Sequence, residues 1–194
     1  PTFTIHEGSA WDRLTWSEEL GSKITQVHAV YFGTLGQRSE ASQITIRRAL
    51  AAAATVPRVL DINLRSPFFD AALIRESIEL TSILKLSDDE LRSVCNACGI
   101  GANGSSEELL KRLLTEQNLD LVIMTRGADG AVLVTPDGIL EQPGIPTTVV
   151  DTVGAGDSFT AAFLIGLLQG VSNSRNLQNA CTIAARVCAH SGAV

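Results

Sequence analysis

The sequence lacks several things, and each absence removes a class of function. No apolar run is long enough to cross a bilayer, and no signal-peptide pattern stands at its start. No basic cluster appears: 15 Lys and Arg stand against 21 Asp and Glu, a net charge of −6. That balance disfavours nucleic acid or an anionic membrane as the main partner. Cysteine is scarce. Cys95 and Cys98 form a C-x-x-C, but neither Cys181, Cys188 nor any histidine pair completes a zinc site. Ordinary thiols on helices of a cytosolic protein are the expectation. There is no internal repeat and no low-complexity linker, and the P-loop pattern G-x-x-x-x-G-K-[ST] is absent.

What remains is a globular chain of 194 residues, 45% apolar and 19% charged, enough for one domain with a large core. It opens on Pro1 rather than methionine and closes on Gly192-Ala193-Val194, so it reads as a piece of something longer.

From Val27 onward strands and helices alternate. Val27–Gly33, Arg58–Ile62, Ser82–Leu86 and Asp120–Thr125 read as strands, and Ala131–Thr135 and Ile139–Gln142 as a hairpin around Pro136-Asp137-Gly138. Thr147–Val150 is strand-like as well. Helical patterns fill Glu40–Thr55, Phe69–Glu79, a helix capped by Ser87 with Glu90 in a capping box, Ser105 to Gln117, Ala155–Gln169 and Ser174–Ser191. The order implies an α/β fold, a mostly parallel sheet with helices on both faces. Residues 27–194 form its core. Residues 1–26 fit less well: Thr2–Ile5 suits a strand and Ala10-Trp11-Asp12 an exposed aromatic elbow.

The most informative stretch is Asp151-Thr152-Val153-Gly154-Ala155-Gly156-Asp157-Ser158-Phe159. Its two glycines allow a tight turn with bare N–H groups, and the helix start adds partial positive charge. Asp157 stands inside that anion-binding turn, placed to take a proton from a hydroxyl attacking a bound phosphate. The turn contains no lysine, so N–H groups and a metal would hold the phosphates. Other polar residues follow strand ends: Asp61, Asn63 and Arg65; Lys85, Ser87 and Glu90; Thr125, Arg126 and Gly127. In open α/β sheets that edge binds ligands. Taken alone, each group has a plainer reading: turn chemistry at Asp61–Asn63, a solvated pair at Lys85 and Glu90, a strand-to-hairpin turn at Thr125–Gly127.

Together these segments resemble the ribokinase/PfkB family of carbohydrate kinases. Asp151–Phe159 matches the family signature D-T-x-G-A-G-D-x-F in full, and Asp61-x-Asn63-x-Arg65, Lys85 to Glu90, Thr125-x-Gly127-x-x-Gly130 and Cys188–Ala193 extend the match. Ala10-Trp11-Asp12 and Phe32-Gly33-Thr34-Leu35 with Gln37-Arg38 look most like the fructokinase-like branch. The resemblance implies a ribokinase-like fold and ATP-dependent phosphorylation of a sugar, fructose or a related sugar or sugar acid. It makes Asp157 the general base, touching the substrate, and gives the anion hole to the N–H groups of Ala155, Gly156 and Asp157 in the turn begun by Gly154. Thr125, Arg126, Gly127 and Gly130 would line ATP, with Cys181 near the adenine. Asn63 and Lys85 would lie by the phosphates and Arg65 by the donor or sugar. Glu90 would organise Mg2+ through water, and Asp151, Val153, Val187, His190 and Gly192 match the K+ loop of some members.

Two departures stand out. Ser87 replaces the asparagine of the family's N-x-x-E pattern. The family's N-terminal part, with most sugar contacts and a β-sheet lid, is absent, Pro1–Trp16 corresponding to the end of the lid region. Sugar identity is therefore not legible, the given piece is expected to lack full activity, and a bare sheet edge would be prone to association. Expected partners are a small sugar and ATP, with no nucleic acid, no membrane, and a homodimer through the lid. A cytoplasmic location is expected. The open alternatives are a nucleoside kinase of the same family and a non-catalytic kinase-like scaffold or regulatory module.

Overall fold

A computed structural model describes residues 4–192. Six strands form one sheet in chain order: β1 (Val30–Gly33), β2 (Arg58–Asp61), β3 (Ile83–Ser87), β4 (Leu121–Thr125), β5 (Ala131–Thr135) and β6 (Gly138–Gln142). β1 to β4 run parallel, and β5 and β6 close the sheet as an antiparallel hairpin. Helices α1 (Glu18–Ile24), α2 (Glu40–Ala52), α3 (Ala71–Glu79), α4 (Asp88–Ala97), α5 (Ser106–Glu116), α6 (Ala155–Leu168) and α7 (Asn173–Cys188) complete the fold.

Alternation along the strands divides the core in two. Phe32, Leu60, Leu84, Leu86, Val122 and Met124 face one side, where Leu50 of α2, Ile78 of α3, Val94 of α4 and Leu113 of α5 cover them. Val59, Ile83, Ile123 and Leu133 face the other, under Phe159 and Phe163 of α6 and Leu177 and Ala180 of α7. Each buried aliphatic side chain contributes about 1.5–3 kcal/mol relative to exposure. Buried apolar side chains on both faces of the parallel strands match the sequence expectation.

Local chemistry sets the helix starts. The Asp70 carboxylate accepts from the Leu73 N–H at 2.7 Å, and Ser105 with Glu108 forms a reciprocal capping box. The box expected at Ser87 and Glu90 is present: the Ser87 N–H donates to Glu90 Oε2 at 2.8 Å. These contacts satisfy donors that no helix can satisfy internally.

Three expectations need correction. β1 starts at Val30, not Val27, because its first bond goes from the Val30 N–H to the Pro57 carbonyl, and Pro57 has no N–H to extend the ladder. Thr147–Val150 is not a strand. Val149 and Val150 are exposed, and the Val150 and Asp151 N–H groups donate to the Cys188 carbonyl at the end of α7 instead. β-branched residues alone make no strand without a neighbour to pair with. Thr4 and Ile5 are not in a strand, and the rest of Thr2–Ile5 lies outside the described residues.

Ala10–Asp12 forms a single 3-10 turn with Trp11 exposed. Asp12 pairs with Arg38 through two bonds of 2.6 and 2.7 Å, and the Arg38 guanidinium stacks on Phe68. The Leu14 N–H and carbonyl bond Ser42 and Thr45 of α2. The early segment is thus fastened to the core before α1 begins.

Candidate active site

The glycine turn sits at the start of α6. Gly154 precedes the helix in the left-handed region, φ 82, where a side chain would be strained. The Ala155 N–H donates back to the Thr152 carbonyl at 3.3 Å, and the Ser158 N–H to the Gly154 carbonyl at 2.9 Å. Between them, the N–H groups of Gly156 and Asp157 belong to the first turn, which has no intrahelical acceptor. Both residues are exposed, with the positive end of the helix dipole behind them. Of the three N–H groups expected to form an anion hole, that of Ala155 instead closes the turn.

A polar cluster lies beneath this turn. Lys85 is buried, and its ammonium donates to Asp61 Oδ2 at 2.8 Å. A Cβ added to Gly156 would come within 3.4 Å of that ammonium, so Lys85 lies against the turn from below. The Thr160 hydroxyl donates to the Gly156 carbonyl at 2.9 Å and lies 3.3 Å from Asp61 Oδ2. The Tyr31 hydroxyl stands 3.4 Å from both Asp61 Oδ2 and Asp157 Oδ1. Burial pushes the Asp61 carboxyl above its ordinary range; Lys85 opposes this, while the Glu90 and Asp157 charges add to it. Asp61 Oδ1 is buried without a hydrogen-bond partner. The plainer reading of Lys85 and Glu90 as a solvated pair fails, since Lys85 pairs inward with Asp61.

The residues expected to line a nucleotide differ in what the structure leaves open to them. Thr125 ends β4, half-buried, its hydroxyl 3.4 Å from the Leu86 carbonyl. Arg126 does not reach freely toward a ligand: its guanidinium contacts Glu141 Oε2 at 3.3 Å, across the hairpin. Gly127 has φ 53 with open space where a side chain would go, leaving its backbone approachable. Gly130 differs. At φ 93 a Cβ would lie 2.1 Å from the Gln142 carbonyl oxygen, so packing against the hairpin alone requires glycine there. Cys181 is buried in the core under α7, and burial raises its thiol, so it offers little surface to a nucleotide. Asn63, in the left-handed region at φ 38, and Arg65 are exposed after β2.

Glu90 holds the site's backbone. Its Oε1 accepts the Leu64 N–H at 2.7 Å, and its Oε2 accepts both the N–H and the hydroxyl of Ser87 at 2.8 Å. Among the described residues no group of three or more His, Cys, Asp or Glu is arranged to hold a metal. Both Glu90 oxygens are engaged, one by the backbone after β2 and the other by Ser87 at the start of α4. The residues expected to form a K+ loop are linked by hydrogen bonds: Asp151 accepts from the Val153 N–H and the Gly192 N–H, each at 3.0 Å, and the His190 N–H donates to the Val187 carbonyl at 3.0 Å. These bonds hold the Asp151 carboxyl below its usual range. A cleft of about 570 Å³ opens elsewhere, between the starts of α2 and α3 by Arg38, Phe68 and Asp70. The α6 turn is an open surface by comparison.

The model of the pfkB family of carbohydrate kinases matches residues 2–194. The chain belongs to that family. Among curated pfkB relatives, the aminoimidazole riboside kinase of Salmonella typhimurium is 33% identical over 86% of this chain and 51% of its own length. A fructokinase of Rhizobium leguminosarum is 29% identical over 86% of this chain and 51% of its own. The chain spans about half the length of these relatives. Among solved structures, a Burkholderia thailandensis nucleoside kinase bound to inosine superposes with a TM-score of 0.70 at 28% identity, covering 86% of this chain and 51% of that one. A sugar kinase of Pyrococcus horikoshii covers all of this chain and 62% of its own at TM-score 0.81 and 24% identity, which confirms the fold. These relatives include sugar and nucleoside kinases alike, so the fructokinase-like branch is not singled out.

Tyr31 and Thr160 were not read from the sequence. Reading Val27–Gly33 as one buried run hid the alternation within this pfkB-family strand. Val30 and Phe32 pack against the core of one face, which turns Tyr31 to the other, the side of α6. Thr160 follows Asp157 by about one helical turn, the spacing that puts both on one side of α6.

Proposed function

We propose that this chain carries the phosphoryl-transfer half of an ATP-dependent kinase whose acceptor is a hydroxyl of a sugar or a riboside. The observation that carries the reading is Asp157, an exposed carboxylate in the same helical turn as the free N–H groups of Gly156 and itself. Asp157 accepts the proton of the attacking hydroxyl, whose oxygen forms the new bond to the γ-phosphorus as the bond to ADP breaks. The N–H groups of Gly156 and Asp157 hold the negative charge of the moving phosphoryl group, and the Lys85 ammonium beneath Gly156 adds positive field from below. Magnesium, held on phosphate oxygens and reached by Glu90 through water, would neutralise charge on the terminal phosphates. Asn63 and Arg65 stand at the β2 end, on the phosphate and acceptor side. Thr125 and the open backbone at Gly127 receive the nucleotide. Potassium at the carbonyls of Val153, Val187 and His190, with Asp151 and Gly192 tying the loop, would steady the turn.

Fructose or a related keto-sugar is the first acceptor to try, on the wording of Ala10–Asp12 and of Gly33–Arg38. A riboside is the second reading. It rests on the 33% identity to the aminoimidazole riboside kinase and the likeness to the inosine-bound nucleoside kinase. The test is ADP release by the full-length protein with fructose, ribose, a keto-deoxy sugar acid and a nucleoside, for wild type and Asp157→Ala. Turnover that requires Asp157 supports the reading, and the acceptor that gives it decides between sugar and riboside. Turnover surviving Asp157→Ala removes Asp157 as base, and none with any acceptor points to a non-catalytic module.

A further inference from the structure

Tyr31 is the only tyrosine in the chain, and it sits where two carboxylates of different character approach each other. It stands at the middle of β1, on the face opposite Val30 and Phe32. The next residue on its face is Gly33, which pairs with Asp61 across the sheet and brings no side chain between them. The phenol oxygen is 3.4 Å from Asp61 Oδ2, which is buried and held by Lys85, and 3.4 Å from Oδ1 of the exposed Asp157. A phenol has one proton to donate, so it serves one carboxylate at a time. Among these groups, Tyr31 alone touches both Asp157 and the buried ion pair.

We propose that Tyr31 is a positioning residue for the base: its hydroxyl orients the Asp157 carboxylate and links it to the Asp61–Lys85 pair, so that the charge on the pair and the orientation of the base change together. This rests on the assignment of Asp157 as base made above. Donation to Asp157 fixes the rotamer of an otherwise exposed carboxylate. Donation to Asp61 releases Asp157 and adds a donor to Oδ2, the oxygen Lys85 already holds, while Oδ1 keeps no partner. No covalent step is involved, and the Tyr31 proton stays on its oxygen throughout. Tyr31 is about half exposed, and its phenol ionisation is displaced upward by partial burial first and then by the Asp61 and Asp157 charges. The charged groups that face it or act through Asp61 are Asp61 on β2, Lys85 on β3, Asp157 on α6 and Glu90 on α4.

In the full-length protein, titrated with pH, the difference in phenolate absorbance between wild type and Tyr31→Phe reads Tyr31. The wild type is expected to ionise above the ordinary value of about 10. Asp157→Asn and Asp61→Asn should each bring the ionisation down, and the double variant further. At neutral pH, where unfolding in alkali cannot interfere, the Tyr31 ring-carbon resonance bonded to oxygen should move in Asp157→Asn. An ordinary ionisation in the wild type, or a phenol and resonance indifferent to Asp157→Asn, overturns the proposal whether or not the protein is a kinase. In the full-length protein, Tyr31→Phe should lower kcat about tenfold, the scale of an outer-shell partner, with KM unchanged. An unchanged kcat overturns it while leaving the kinase reading intact.

Discussion

Leu84 and Lys85 are neighbours on β3 and face opposite sides of the sheet, and what they meet there divides the molecule by purpose. Leu84 joins a continuous apolar layer with Leu60, Val122 and the helices α2 to α5. Lys85 faces α6 and pairs with Asp61 beneath an exposed turn. On the first face of β3 and β4 the apolar alternation, Leu84 and Leu86 beside Val122 and Met124, runs to the strand ends. On the second it is apolar under α6 and α7, then turns polar at the C-terminal ends of β1 to β3. Sidedness is what folds this chain, and the place where one side departs from it is the place where chemistry is possible.

Substitutions on the two faces should therefore fail in different ways, and the largest effect should be on rate rather than stability. Asp157→Asn in the full-length protein is expected to cost about 10²–10⁴-fold in kcat, with a melting temperature close to that of wild type because the side chain is exposed. A large loss of stability would place Asp157 in the fold rather than in the reaction. Next comes Lys85→Met, which strands a buried carboxylate and should destabilise by about 3–5 kcal/mol in denaturant titration, with most of the loss recovered by adding Asp61→Asn. Failure of the second change to rescue the first would mean that the pair is not the reason Lys85 is buried. Leu84→Ala should cost about 2–5 kcal/mol by lost burial and a residual cavity, and no second polar change should restore it.

The smallest effect is a pH dependence in which two aspartates pull in opposite directions. Burial raises the Asp61 carboxyl in the fold, so ionising it costs more folded than unfolded. Its contribution to stability is lost as pH rises from the ordinary value of about 3.9 through the raised one. Asp61→Asn should therefore gain on the wild type as pH rises above about 4 in denaturant titrations. The carboxyl of Asp151 is lowered by the N–H groups of Val153 and Gly192. Its contribution is full above the ordinary aspartate range and is lost as pH falls through the folded value, so Asp151→Asn should lose to the wild type at neutral pH and match it in acid. A common slope for the two variants would erase the distinction between the buried pair and the surface clamp.

Much of this was legible in the sequence because it depends on near neighbours. The capping box at Ser87 and Glu90, the tight glycine turn before α6, and the strand segments β2 to β5 are local facts that tertiary packing left alone. What was not legible depends on partners distant along the chain. Thr147–Val150 has strand-like residues and no strand beside it. Arg126 looked available to phosphates until the hairpin brought Glu141 across to it. Cys181 looked like a nucleotide neighbour, but its direction on α7 takes it into the core. Gly130 was assigned to a ligand loop, whereas the backbone of Gln142 is sufficient reason for it. Tyr31 required knowing which residue of a short strand faces α6, and a continuous apolar run cannot reveal that.

The two bonds accepted by Asp151 join the segment before α6 to residue 192, beyond the end of α7, and the Cys188 carbonyl receives the same segment's N–H groups. Helices α6 and α7 with their short connection thus become a ring closed at Asp151, rather than a hairpin with a free end. The first turn of α6, with Asp157 on it, is thereby tied through Asp151 to the last turn of α7.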